Sequence, residues 1–159
     1  MIDKKMHILL NSSFLLHKLL ISCTVFFGSD NGRSFGGNNE DGRNPYTKIW
    51  FLTAERGKYG RMYIGYNNKI CQAGLNEKGL FFDTTSAPGY EIPELDGHST
   101  YRGDLITQAM ENCKDVAEVI ALFKKHGPFI DKHLPVPTVY GIIIFGDSSG
   151  DAMILEGGR

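Results

Sequence analysis

The stretch "CTVFFGSDNGRSFGGNNEDG", Cys23–Gly42, decides how the folded part of this chain begins. The β-branched and aromatic residues that follow the cysteine predict a strand, and "SFGGNN" predicts the strand that returns. Between the two strands, Asp30, Asn31 and Gly32 favour a tight hairpin turn. The stretch therefore predicts a β-hairpin with a cysteine at one end and an Asn-Asn-Glu-Asp cluster at the other.

The rest of the chain predicts an α+β fold. Further strands are predicted at 47–54, 61–66 and 79–85, and at the final segments "TVYGIIIFGD" and "DAMILE". Apolar residues recur at helical spacing after Asp104. A second helix begins with a capping box from Asp115 to Glu118 and ends at Gly127. Strands, two helices and then strands indicate one layered α+β domain.

Composition excludes several classes of function. The 159 residues suit a single domain. A charged fraction of 22% and a net charge of -1 provide no basic surface for nucleic acid. No apolar run is long enough for a stable membrane span. The histidines lack paired ligand spacing and the acidic cluster does not fit a calcium loop, so we expect no metal and no cofactor. A homo-oligomer is left open.

Residues 1–22 have the layout of a secretory signal, with two lysines, an apolar run and a small residue, Ser22, at its end. The polar Asn11–Ser13 and the charge of Lys18 interrupt the run, so an amphipathic helix or a misassigned start stays open. Because Cys23 follows directly, the leader also fits a lipoprotein signal. We expect an exported protein, periplasmic or secreted, and a cytoplasmic one if the leader is not a signal.

The segment "GDSSG", Gly146–Gly150, satisfies the Gly-x-Ser-x-Gly pattern of a serine hydrolase elbow. That elbow requires a strand before it and a helix after it. Here the following "DAMILE" predicts a strand, and no later Asp and His follow it. The segment therefore predicts a hairpin turn, and a serine esterase acting through Ser148 is the weaker alternative.

The three cysteines carry the chemical question. Cys71 and Cys113 fit either a disulfide or two buried thiols, and Cys23 on position alone fits a third core residue. A thiol needs a base at neutral pH. If the leader is removed between Ser22 and Cys23, the new α-amine of Cys23 is a base on the same residue, as in N-terminal nucleophiles. A carboxylate and amide side chains are then expected nearby.

Two motifs carry a family resemblance. "CTVFF…FGGNNEDG" together with "AGLNEKGLFFDTT" resembles the linear amide C–N hydrolases of the N-terminal nucleophile class. That family includes choloylglycine hydrolases, penicillin V acylases and isopenicillin N acyltransferase-like proteins. The resemblance covers nearly all of 23–159 and implies a four-layer α/β/β/α sandwich. The family's chain normally continues further, so the resemblance implies that 23–159 is the N-terminal half, apparently truncated.

The resemblance also implies roles for individual residues. Cys23 matches the nucleophile, and Asp41 matches the aspartate beside the cysteine's amine and thiol. Asn38 stands where choloylglycine hydrolases carry an arginine, which favours the acyltransferase-like branch. Asn76 and Gly79 are expected to form a turn. The candidates for contacts to substrate or oxyanion are Asn38, Asn39, Thr85 and Ser86.

The implied reaction is hydrolysis of the linear amide C–N bond in a small-molecule N-acyl amide. Acyl transfer by the same site is one alternative. The other is an exported, non-catalytic lipoprotein acylated at Cys23.

Overall fold

The structure is a computed structural model that describes residues 23–41, 46–67, 70–85, 90–91, 104–126, 138–139 and 142–156. Within those ranges the strands are β1 (Thr24–Asp30), β2 (Arg33–Asn39), β3 (Lys48–Leu52), β4 (Arg61–Asn67), β5 (Ile70–Asn76), β6 (Phe81–Thr85), β7 (Tyr90–Glu91), β8 (Thr138–Val139), β9 (Ile142–Gly146) and β10 (Ala152–Leu155). The helices are α1 (Leu105–Asn112) and α2 (Val116–His126). No helix in these ranges is long and apolar enough to cross a membrane.

The predicted first hairpin is confirmed. Strands β1 and β2 pair antiparallel from Thr24 opposite Asn39 to Asp30 opposite Arg33. At the turn, Asn31 has a φ of 50° and Gly32 a φ of 72°. Two consecutive residues with positive φ match a type I′ turn, whose twist suits an antiparallel pair. The Asn-Gly dipeptide therefore sets the register of the hairpin.

A six-stranded antiparallel sheet forms the middle of the domain, in the order β10-β9-β6-β5-β4-β3. Strand β5 is the one member that the apolar pattern did not predict. It contains Gly74, where an added Cβ would lie 2.7 Å from a ring carbon of Phe82 and 2.8 Å from one of Tyr63. Glycine has a low strand propensity, which explains why the pattern did not predict β5. It is required at this position because the rings of Phe82 and Tyr63, on the two neighbouring strands, lie against its backbone.

The short pair β7-β8 forms a separate two-stranded sheet. Strand β7 is short and lies in the chain between Pro88 and Pro93, residues that disfavour extended strand pairing. Within the predicted strand "TVYGIIIFGD", β8 pairs with β7, and β9 pairs with β6 and β10.

Both helices begin where the sequence predicts, α1 after Asp104 and α2 after Asp115. The side chain of Asp104 accepts from the backbone N–H of Ile106 at 2.9 Å and caps α1. At α2, Asp115 Oδ1 accepts from the backbone N–H of Glu118 at 2.9 Å. The Glu118 carboxylate reaches back to the N–H of Lys114, one residue earlier than a standard capping box.

The domain stacks three layers in the described part of the chain. One sheet face packs against α1 and α2 through a core that includes Tyr63, Leu80, Phe82 and Phe145. On the opposite face, the β1–β2 hairpin lies over β6 and β9. There the rings of Phe27 and Phe81 stack with centroids 6.3 Å apart. The α+β class predicted from the order of elements is confirmed.

Candidate active site

Cys23 lies immediately before β1, and its side chain is half-buried. The hydroxyl of Thr85, at the end of β6, donates to the Cys23 carbonyl oxygen at 3.3 Å. The hairpin register and this contact place the thiol beside the last residues of β2. The Cys23 side chain is therefore partly exposed to solvent, and Cys23 is positioned by Thr85 on β6 and by the pairing of β1 with β2.

The thiol contacts the acidic cluster directly. Its Sγ donates to Oε2 of Glu40 at 3.1 Å. Burial raises the pKa of the Cys23 thiol, and the hydrogen bond to Glu40 and the negative charges of Glu40 and Asp41 raise it further. The backbone N–H of Asp41 donates to the sulfur and acts in the opposite direction without cancelling the rise. In the 159-residue chain Cys23 is accordingly a protonated thiol at neutral pH.

Glu40 is held by two amide side chains. Asn38 Nδ2 donates to its Oε1 at 2.8 Å. Gln72 Nε2, on β5, donates to its Oε2 at 3.4 Å, so that oxygen is shared between the amide and the Cys23 thiol. The sequence placed Glu40 in the acidic cluster without a role, and Gln72 was not predicted as a site residue.

Asp83 is a second carboxylate that sequence reasoning missed. It lies on β6 with 1% of its surface exposed, and its Oδ1 accepts from Asn38 Nδ2 at 2.8 Å and from the Thr84 backbone N–H at 2.7 Å. Burial raises its pKa to about 6, the charge of Glu40 adds to the rise, and the two hydrogen bonds oppose it. The available signal was an acidic residue inside the apolar strand "GLFFDTT", a position where a carboxylate needs partners.

The predicted site residues are only partly brought together. Thr85 contacts the Cys23 carbonyl, and Asn38 contacts Glu40, the residue that accepts from the thiol. The Asp41 carboxylate is exposed and accepts from Asn39 Nδ2 at 3.1 Å, while its backbone N–H faces the thiol. Asn39 is exposed. Ser86 and residues 1–22, with the predicted cleavage site, lie outside the described residues.

Both protons of the Asn38 amide are engaged, one by Glu40 and one by Asp83. Since an amide nitrogen has two protons, Asn38 has none left for a substrate oxygen in this arrangement. The Thr85 hydroxyl proton is likewise engaged by the Cys23 carbonyl. The two side chains therefore position the site in this state.

The "GDSSG" segment is a hairpin turn, as predicted. It connects β9 to β10, and the backbone N–H of Asp147 donates to the Asp151 carbonyl at 3.0 Å. Asp147 itself is buried and accepts from the N–H of Val116, at the start of α2, and from Ser149. Burial would raise the pKa of Asp147, but these hydrogen bonds outweigh it and lower that pKa. The strand–turn–helix context of a serine elbow is not present at Ser148.

The other predicted turn is also confirmed. Asn76 is buried, and its side chain donates to the carbonyls of Met110 and Cys113 and accepts from the N–H groups of Lys78 and Leu80. Gly79 follows with a φ of 85°. Asn76 therefore joins the turn before β6 to the end of α1.

Cys71 and Cys113 are free thiols, so the disulfide alternative is wrong for this structure. Burial raises the pKa of each of these thiols to about 11. Among the described residues, no group of three or more His, Cys, Asp or Glu side chains is placed to hold a metal ion.

The helices, the six-stranded sheet and the hairpin form part of a layered α/β/β/α sandwich. The crystal structure of a mutant conjugated bile acid hydrolase from Clostridium perfringens has this fold, with a TM-score of 0.62 and 16% sequence identity. The similarity covers 86% of this chain and 48% of that enzyme, so the chain spans about half of the enzyme's length. No protein-family model matches the chain. No curated protein matches its sequence.

Proposed function

We propose that this chain carries the nucleophile of an amide hydrolase that acts on linear C–N bonds of a small N-acyl amide. The observation that carries the proposal is the half-buried Cys23 thiol, which is hydrogen-bonded to Glu40, a carboxylate that is itself held by amide side chains. The shared fold with a conjugated bile acid hydrolase supports the class of reaction.

The proposed reaction begins when residues 1–22 are removed, which frees the α-amine of Cys23. The amine takes the thiol proton, and the sulfur attacks the substrate carbonyl to form a carbon–sulfur bond. The C–N bond then breaks, and the amine's proton passes to the leaving nitrogen. Water hydrolyses the thioester, releases the acid and regenerates the thiol.

The surrounding residues take supporting roles in this proposal. Thr85 fixes the backbone of Cys23, and Asn38 fixes the carboxylate cluster, since their protons are already engaged. Asp41 is assigned to the free amine, because its backbone N–H already faces the thiol. Asn39 and Ser86 remain the proposed donors to substrate or oxyanion.

The proposal includes export, since a signal-like leader ends at Ser22 and its removal would create the base that the thiol lacks. The same chemistry with an amine in place of water would make the protein an acyltransferase. Lipidation of Cys23 would instead block its sulfur.

The test combines the mature N-terminus with an acyl-enzyme trap. The protein is expressed with its leader, its N-terminal residue is identified by mass spectrometry, and it is incubated with a panel of chromogenic N-acyl amides. We expect a chain beginning at Cys23, an acyl adduct on that residue and amine release that Cys23→Ala abolishes. Cys71→Ala is the matched control and should retain both signals.

An adduct on Cys71 or Cys113 would contradict the nucleophile assignment. A mature chain that keeps residue 22, or incorporates labelled palmitate at Cys23, would contradict the mechanism.

A further inference from the structure

We propose that Glu40 is a positioning residue for Cys23 that holds the thiol proton and keeps the sulfur latent while the Cys23 nitrogen is in a peptide bond. This inference rests on the proposed function only in naming Cys23 as the nucleophile. It adds a residue and a regulatory effect to the site, since Glu40 had no role in the reaction described above.

The geometry fixes Glu40 from three elements. Its Oε2 accepts from the Cys23 thiol at 3.1 Å, before the start of β1. Its Oε1 accepts from Asn38 on β2 at 2.8 Å, and Gln72 on β5 donates to Oε2 at 3.4 Å. A carboxylate held by two amides cannot turn away from the sulfur without giving up hydrogen bonds. The folded structure therefore fixes the Glu40 carboxylate in its orientation toward the sulfur.

The charges around the thiol also favour its protonated form. The titratable groups that face Cys23 and Glu40 are Asp41, which follows in the chain, and Asp83 on β6. In the described part of the chain, the ion pairs formed by lysines and arginines do not include Glu40. A thiolate formed here would stand beside the Glu40 carboxylate. Like charges in contact disfavour ionisation, so the sulfur keeps its proton.

The backbone N–H of Asp41 shows that the sulfur's surroundings also contain a donor that favours the thiolate. Glu40 opposes this donor. Replacing the carboxylate by an amide of the same length removes the charge, keeps an oxygen for Asn38 and leaves an NH₂ group beside the sulfur. Glu40→Gln therefore reverses the contact to Cys23 while it preserves the packing.

The experiment measures the rate of iodoacetamide alkylation of Cys23 in the 159-residue chain from pH 6 to pH 10, by mass spectrometry of the peptide containing it. We expect Glu40→Gln to lower the midpoint of the pH profile by about one unit, which makes alkylation at pH 7 about tenfold faster. Glu40→Asp, which keeps the charge, should stay near the wild-type profile. Glu77→Gln, an exposed control, should match the wild type.

If Glu40→Gln does not fold, a measurement on the wild type tests the role of Glu40 directly. The pH midpoint of Cys23 alkylation in the native chain should lie above that of the same residue in urea. Slow labelling of Cys71 and Cys113 reports that the sample is folded, because their thiols have pKa values of about 11.

Identical profiles for wild type and folded Glu40→Gln would overturn the inference, as would a native midpoint at or below the one in urea. The readout needs no substrate. A chain without amidase activity whose Cys23 profile shifts as expected would refute the proposed function and support the role of Glu40.

Discussion

Nδ2 of Asn38 lies 2.8 Å from Oδ1 of Asp83, and this hydrogen bond ties the hairpin to the middle of the six-stranded sheet. The same nitrogen donates to Glu40, so one amide connects the carboxylate at the thiol to a carboxylate that is 1% exposed. The hydrogen-bonded chain from Cys23 to Asp83 is therefore both part of the site and part of the packing between two layers.

Asn38→Ala should destabilise the fold, because it removes the hydrogen bond from Asn38 to the buried Asp83 carboxylate and a support of Glu40. A buried polar group that loses a partner costs about 1–3 kcal/mol. Urea unfolding at pH 7, followed by circular dichroism, measures the change. Asn39→Ala is the matched control on the exposed side of the hairpin, and we expect a change within about 0.5 kcal/mol. Equal losses in the two variants would show that the bond to Asp83 does not stabilise the fold.

Asp83 should make the folded protein less stable as pH rises, whereas a carboxylate with a lowered pKa has the opposite effect. Its folded pKa, about 6, is above its ordinary value of 3.8. The folded state therefore binds the proton more tightly, and the stability from the protonated group is lost as pH rises from about 4 through about 6. A difference of about two pKa units corresponds to about 3 kcal/mol.

Asp83→Asn removes this titration while keeping an oxygen for Asn38. The free energy of unfolding of the variant relative to the wild type should increase from pH 4 to pH 7, by up to about 3 kcal/mol. Urea unfolding at several pH values measures it. A difference between the two proteins that stays constant over this range would disprove the raised pKa.

Gly146→Ala should separate the hairpin from the sheet. An added Cβ at this position would lie 2.3 Å from ring carbons of Phe27, so the hairpin would have to move. Overpacking of this kind costs about 1–3 kcal/mol. Thermal unfolding measures the loss, and faster alkylation of Cys23 would report the displaced hairpin.

Gly28→Ala is the control for this variant, since its Cβ would meet a ring carbon of Phe35 at 3.4 Å, an ordinary contact. We expect it to match or slightly exceed the stability of the wild type. A destabilisation as large as that of Gly146→Ala would mean that the contact with Phe27 does not set the effect.

Alkylation near neutral pH should be confined to Cys23 among the three thiols. Burial raises the pKa of Cys71 and of Cys113 to about 11, so their reactive thiolate fraction at pH 7.5 is below about one in a thousand. Peptide mapping after a short iodoacetamide pulse measures the distribution of label. Cys71→Ala and Cys113→Ala should leave the labelling of Cys23 unchanged. Label found mainly on Cys71 or Cys113 in the wild type would contradict the assignment of Cys23 as the reactive thiol.

Local sequence determined most of the secondary structure. The Asn-Gly turn of the first hairpin, the start of the first helix after Asp104 and the capping box at Asp115 were predicted, because each depends on residues that are close together in the chain. Strand β5 was missed, since Gly74 is present for the rings of Phe82 and Tyr63, and those rings come from other strands.

The candidate site likewise contains residues that local sequence indicated and residues that only tertiary contacts bring to it. Cys23 and its acidic cluster lie within one hairpin, and the sequence alone indicated that they belong together. Gln72 is 32 residues from Glu40, and Asp83 is 45 residues from Asn38. A polar residue in a strand pattern shows that it needs a partner, but not which partner it has. The stacking of Phe27 on Phe81 brings the hairpin over the sheet, and only that tertiary packing decided which amides and carboxylates surround the Cys23 thiol.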